Sequence, residues 1–257
     1  MDGLANGSGP RFRFTGKELF NLLIAALVAA FGITIAPGWG IFDLMGGEGA
    51  IPYILNLLII AVLICISFII HFSAQKLIAL KLGYSSEYKK WLNGLILGPM
   101  FCLFSYGYLP LFFSGTLFYD AIPKLRTGVF RGGVKHKDLG MIAFAGPFSN
   151  IVLVGLIAPF YLATEGAFLK TFIIINLLVA VFSMLPIPTF EKLRQFSGGT
   201  TGLYLFIASR WVFVLVFATI LAYSAFIILF NIFSYIVALI LGIIAAVVYY
   251  SRFESGK

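Results

Sequence analysis

Six stretches of this chain carry no charged residue: 19–42, 49–75, 91–119, 139–164, 171–190 and 211–251. Each holds at least 20 residues, and a helix of roughly 20 apolar residues crosses the hydrocarbon core of a bilayer. The last stretch would run ~62 Å as one helix, about twice the core thickness. It therefore reads as a hairpin of two spans turning near Asn231 to Ser234. Composition agrees: 61% of residues are hydrophobic and 11% charged, against roughly 25% charged in a soluble domain. With a mean hydropathy of +1.03, soluble, disordered and fibrous classes are excluded, and a multi-pass membrane protein remains.

The net charge of +8 does not point to nucleic acid, because no basic stripe is interleaved with exposed aromatics. The basic residues sit in short connections between apolar stretches, where they set topology. Cys65 and Cys102 lie inside apolar stretches and form no CxxC pair, so they read as small buried residues.

Thr15 and Glu18 fit a capping box just before the first apolar run, placing a helix start near Gly16. That run is too long for the apolar core of a signal peptide, so it reads as a span ended by Pro37, Gly38 and Gly40. A second span runs from about Pro52 to Gly83, with Lys76 and Lys81 marking its emergence into a polar zone. Tyr84 to Trp91 reads as a polar, basic connection. Segment 92–118, broken by Gly94, Gly98, Pro99, Gly107, Pro110 and Gly115, reads as re-entrant or doubled back. Such backbone is tolerated at membrane depth only where protein or a water-filled cavity covers it. A short β hairpin is expected within 119–137. Helical runs follow at 139–163 and 170–186, then a polar loop from Thr189 to Arg210.

If the N-terminus is cytoplasmic and 92–118 makes an even number of crossings, 17 of the 18 basic residues face the cytoplasm, and only Lys170 lies outside. This arrangement satisfies the positive-inside rule and puts both termini on the cytoplasmic face of the cell membrane.

Polar groups at membrane depth are where chemistry is sought first. Three clusters stand out. His71 and Gln75 lie four apart, on one helix face, in His71-Phe72-Ser73-Ala74-Gln75. In the zinc motif HExxH, two histidines at that spacing hold the metal and the intervening Glu takes a proton from bound water. Gly146 and Asn150, also four apart, lie in Ala145-Gly146-Pro147-Phe148-Ser149-Asn150, at the opening of the 139–163 helix. A small residue lets helices approach, and an Asn can hydrogen-bond across them. In the third cluster, Ser183 to Glu191, Pro186 and Pro188 break a helix and a carboxylate follows. Locally, Glu191 reads either as a metal ligand or as a surface ion-pair partner of Lys192 and Arg194.

In order and spacing the three clusters resemble the site-2 protease family of intramembrane zinc metalloproteases, over about residues 15–210. That family carries HExxH on a core helix, then a membrane-associated β element, then a helix opening with Gly-Pro-x-x-Asn. Its next helix ends in Asn-x-x-Pro-x-x-x-Leu-Asp-Gly, whose Asp is the third zinc ligand. Here His71 falls at the first histidine, Gly146 to Asn150 at the Gly-Pro motif, and Pro186 and Pro188 on the proline-rich motif. The departures fall on the chemistry. Phe72 stands at the general base, Gln75 at the second histidine, Ser183 at the Asn, Glu191 at the Asp and Lys192 at the Gly.

The resemblance implies an all-α polytopic protein of about six transmembrane helices plus a re-entrant element and a short β hairpin. Residues 1–14 would be a disordered tail, 15–210 the protease-like core, 211–251 a C-terminal transmembrane hairpin and 252–257 a tail. It implies a proteolytically inactive chain, without zinc, that holds a segment of another membrane protein. The partner groove would involve Gly146, Asn150, Ser183, Pro186 and Pro188. The alternative is an active zinc endopeptidase with metal held by His71, Glu191 and a third ligand such as His136. A transporter or channel is a second alternative; against it stand the absence of an internal repeat and the scarcity of acidic residues at membrane depth.

Overall fold

The computed structural model describes residues 12–35, 50–106, 111, 113–121, 135–187, 201–229 and 234–254. Helix α1 (Gly16–Thr34) begins where its capping box predicts: the Glu18 N–H donates to Thr15 Oγ1, and the Thr15 N–H donates back to the Glu18 carboxylate at 2.7 Å. Helix α2 (Ala50–Lys81) runs for 32 residues. It stops at Gly83, whose φ of +84° is open to glycine and strained for other residues.

Strand β1 (Tyr84–Lys90) follows directly and pairs antiparallel with β2 (Gly115–Ala121), Tyr88 opposite Leu117. Helix α3 (Leu92–Phe104) lies between them in sequence. The paired strands are 84–90 and 115–121; the hairpin expected within 119–137 falls largely on residues 122–134, which lie outside the described residues. Segment 92–118 holds a short helix containing Pro99 and the start of a strand whose Gly115 pairs with Lys90, so the chain that leaves β1 doubles back to its end. The missed strand has a physical signature: Tyr84 and Tyr88 are buried while Ser85, Glu87 and Lys89 face outward, a period of two hidden by its polar composition.

Helix α4 (His136–Thr164) is followed by α5 (Ala167–Ser183), α6 (Thr201–Ala208), α7 (Arg210–Leu229) and α8 (Ser234–Tyr249), which ends in a π-helical turn, Tyr250–Glu254. The Gly146-Pro147 motif does not open α4, as the sequence suggested. It lies ten residues inside it, with Pro147 in the helix interior. Helix α6 is a second correction, since it falls within the expected polar loop. Its Tyr204 and Leu205 are buried against α4, α5 and α7. Within 211–251, where a hairpin of two spans was expected, α7 packs on α8; residues 230–233 between them lie outside the described residues.

Among the described residues three helices, α1, α2 and α4, are long and apolar enough to cross a membrane. The other apolar helical segments, Leu92–Phe104, Ala167–Ser183, Arg210–Ala225 and Leu239–Phe253, are shorter. Helix α2 packs against α1, α4 and α5. One core joins α1, α2 and the strands through Ile64, Phe68, Phe72, Tyr88 and Leu117.

Lys76 does not emerge into a polar zone. It is 4% exposed, and its Nζ lies 2.5 Å from the Glu18 carboxylate and 3.1 Å from the Arg13 carbonyl. The same Glu18 oxygen accepts the Tyr88 N–H of β1 at 2.7 Å. One buried carboxylate thus joins the start of α1, the end of α2 and the sheet.

Candidate functional site

Ser67, His71 and Gln75 follow at four-residue spacing and form one polar stripe on α2, each at most 1% exposed. Helix α4 lies along this stripe with the opposite sense. A Cβ on Gly146 would run into His71 Nε2 and lie 2.6 Å from Gln75 Nε2. One turn further, Asn150 Nδ2 donates to Ser67 Oγ at 3.5 Å. The two four-residue spacings seen in the sequence are therefore one contact. Glycine is required at 146 because the helices meet there through side chains that already fill the space.

Helix α5 completes the network. Ser67 Oγ donates to Asn176 Oδ1 at 2.9 Å, and Asn176 Nδ2 donates to the Phe172 carbonyl at 2.8 Å. Gln75 Nε2 lies 3.3 Å from His71 Nε2 and donates to Thr201 Oγ1 of α6 at 3.4 Å. Ser67, Asn176 and Thr201 were missed in the sequence. Ser67 precedes His71 by one turn and Asn176 is a lone amide in an apolar run, so the cost of polar groups in lipid could have flagged both. Nothing local singles out Thr201, which only the fold of α6 brings to Gln75.

The other predicted residues fall elsewhere. Phe72 is 2% exposed, its ring 4.6 Å from that of Tyr88 and 5.0 Å from His71. Ser183 turns its hydroxyl back to the Ala180 carbonyl, and Pro186 is exposed. Pro188 and Glu191 lie outside the described residues. His136 is exposed at the first position of α4. Ten residues separate it from Gly146, ~15 Å along the helix, so it is not brought to His71 and the expectation that it could be a third ligand is corrected.

Catalytic zinc takes three protein ligands and an open position. Among the described residues no group of three His, Cys, Asp or Glu could hold a metal. The stripe offers one imidazole and a neutral carboxamide, and a carboxamide oxygen is a poor partner for zinc. These residues do not fit a zinc centre. What they do is tie four helices together. His71 Nδ1 and Gln75 Oε1 are buried with no hydrogen-bond partner among the described residues, a cost that side chains held by packing can bear.

Gly146→Ala is expected to lose stability. Helix propensity favours alanine by about 1 kcal/mol, but overpacking costs about 1–3 kcal/mol. Gly155→Ala, where a Cβ meets only the Tyr223 hydroxyl at 4.0 Å, should instead gain stability. Unfolding of both variants by sodium dodecyl sulfate in mixed micelles checks the sign.

The site thus sits at the junction of apolar helices in a membrane-type protein, at a position where a helical histidine is followed four residues later by a second polar side chain. No family model and no solved structure matches the chain. Among curated proteins, it is 30% identical over 185 residues to "Putative zinc metalloprotease MJ0611" of Methanocaldococcus jannaschii, covering 70% of this chain and 83% of that protein. At that identity and coverage the chain belongs to the same metalloprotease-like family.

Proposed function

We propose that this protein is a membrane scaffold of the site-2 protease type that has lost its proteolytic chemistry and works by holding a segment of another membrane protein. One observation carries the reading: the side chain after His71, where the motif needs a general base, is Phe72 packed into the core against Tyr88. A general base contributes about 10²–10⁴-fold to a rate, and a phenyl ring supplies none of it. Gln75, at the second histidine, is already engaged with His71 and Thr201.

The scaffold would cross the membrane about six times, α5, α7 and α8 adding to the three long helices, with both termini cytoplasmic. Strand β2 has β1 on one edge and, among the described residues, no strand on the other. An extended segment can add there through backbone hydrogen bonds. Ser183 and Pro186 would lie along its path; Gly146 and Asn150, expected in the groove, are instead taken up by the contact of α2 with α4, and Pro188 lies outside the described residues.

A second reading, an active zinc endopeptidase, is favoured by His71 Nδ1, which has no partner among the described residues, and by the relative's name. It would take His71 and Glu191 as ligands. Metal analysis of the purified protein, with His71→Ala and Glu191→Ala alongside, separates the two. The expected result is no stoichiometric zinc, no cleavage of a single-span membrane reporter, and retention of that reporter through purification. One zinc per chain, lost in both variants and accompanied by chelator-sensitive cleavage, would replace the first reading with the second.

A further inference from the structure

The polar contacts of the fold gather its basic residues at one end. Lys76 reaches the Arg13 carbonyl, so the start of α1 meets the end of α2. The Tyr84 hydroxyl donates to Asp138 at 2.7 Å, so β1 meets the first turn of α4. Gly140 lies against Ala208, which brings the start of α7 to the same level. Arg13, Lys17, Lys81, Lys89, Lys137 and Arg210 are all exposed there. Of the acidic side chains described at this end, Glu18 is buried on Lys76, Asp138 accepts from Tyr84, and Glu87 is exposed, 3.9 Å from Lys89. The opposite end of α4 and α5 carries just Glu165 and Lys170.

Exposed aromatic rings sit immediately beside this collar. Phe12 is next to Arg13, Phe20 one turn below Lys17, and Trp211 next to Arg210, each at least 45% exposed. Of these, Trp211 has the amphipathic ring that settles at the headgroup level of a bilayer. The apolar flanks of α1, α2 and α4 continue away from them. The collar therefore stands where lipid phosphates are, and the partner that matches a positive surface at that depth is an anionic headgroup.

We propose that this end of the bundle is a docking surface for anionic phospholipids, whose phosphates lie among the basic side chains of α1, α2, β1, α4 and α7. The surface is independent of any peptide held near His71. A basic residue near an anionic leaflet is worth about 1 kcal/mol, roughly a five-fold preference, and the preference weakens with salt.

The test reconstitutes the full chain in nanodiscs containing equal phosphatidylglycerol and phosphatidylcholine, extracts it gently into detergent, and measures the lipid that stays. Phosphatidylglycerol should be enriched at least about five-fold, and the enrichment should fall towards one in Lys81→Gln/Lys89→Gln/Lys137→Gln and in high salt. These side chains are exposed, so folding is not at stake. Lys170→Gln, at the other end, should leave the enrichment unchanged. Equal retention of the two lipids, or an enrichment indifferent to the triple variant, overturns the proposal. Salt-sensitive binding of polyglutamate without phosphatidylglycerol enrichment also overturns it, and assigns the collar to an acidic protein segment.

Discussion

Glu18→Ala is expected to destabilise the fold by about 3–5 kcal/mol, the cost of leaving a buried charge without its partner. Lys76 is 4% exposed, and among the described residues its ammonium has the Arg13 carbonyl at 3.1 Å and the Phe14 ring at 4.4 Å to fall back on. The same truncation removes the acceptor for the Tyr88 N–H and for the Thr15 N–H, so helix start and sheet edge loosen together. The double variant Glu18→Ala/Lys76→Met should recover much of the loss, because replacing both ions with apolar groups is far cheaper than stranding one. Unfolding in mixed micelles, read for the two single variants and the double, gives the coupling directly. A Glu18→Ala loss below about 1 kcal/mol, the range of exposed pairs, would mean that water reaches the pair.

This pair shows what sequence reasoning can and cannot reach. The capping box was legible because both its residues lie within one turn, and Thr15 and Glu18 form it as expected. That Glu18 also neutralises a lysine 58 residues away was not, since Lys76 looked like the end of a span entering water. The long helices were legible because lipid imposes length and apolarity on each one separately. Strand β1 was not, because its partner lies beyond α3 and the burial of its tyrosines depends on how α1, α2 and α4 pack around them. The site divides in the same way. The spacings of His71 to Gln75 and of Gly146 to Asn150 are local and readable. Their meeting face to face, with Asn176 and Thr201 added from two more helices, belongs to the packing.

Installing the residues that the HExxH pattern would place at positions 72 and 75 should therefore have unequal consequences. Gln75→His is expected to cost about 1 kcal/mol, one hydrogen bond, because the side chain stays among His71 and Thr201. Phe72→Glu is expected to cost at least about 3 kcal/mol, since it buries an uncompensated charge. The ring it replaces lies 4.6 Å from Tyr88 and 6.1 Å from Phe68 in the core shared by α1, α2 and the sheet. Burial already holds the neighbouring Tyr88 phenol well above its ordinary range, and its hydroxyl is committed to the Ser114 carbonyl, so it offers a new carboxylate no proton. Parallel unfolding of the two variants in mixed micelles ranks them. Equal losses would mean that position 72 opens onto a polar space where a base could still work. The expected order means that position 72 belongs to the core. A carboxylate cannot then be accommodated through that substitution alone, because the contacts of Tyr88 and Phe68 would have to be rebuilt around it.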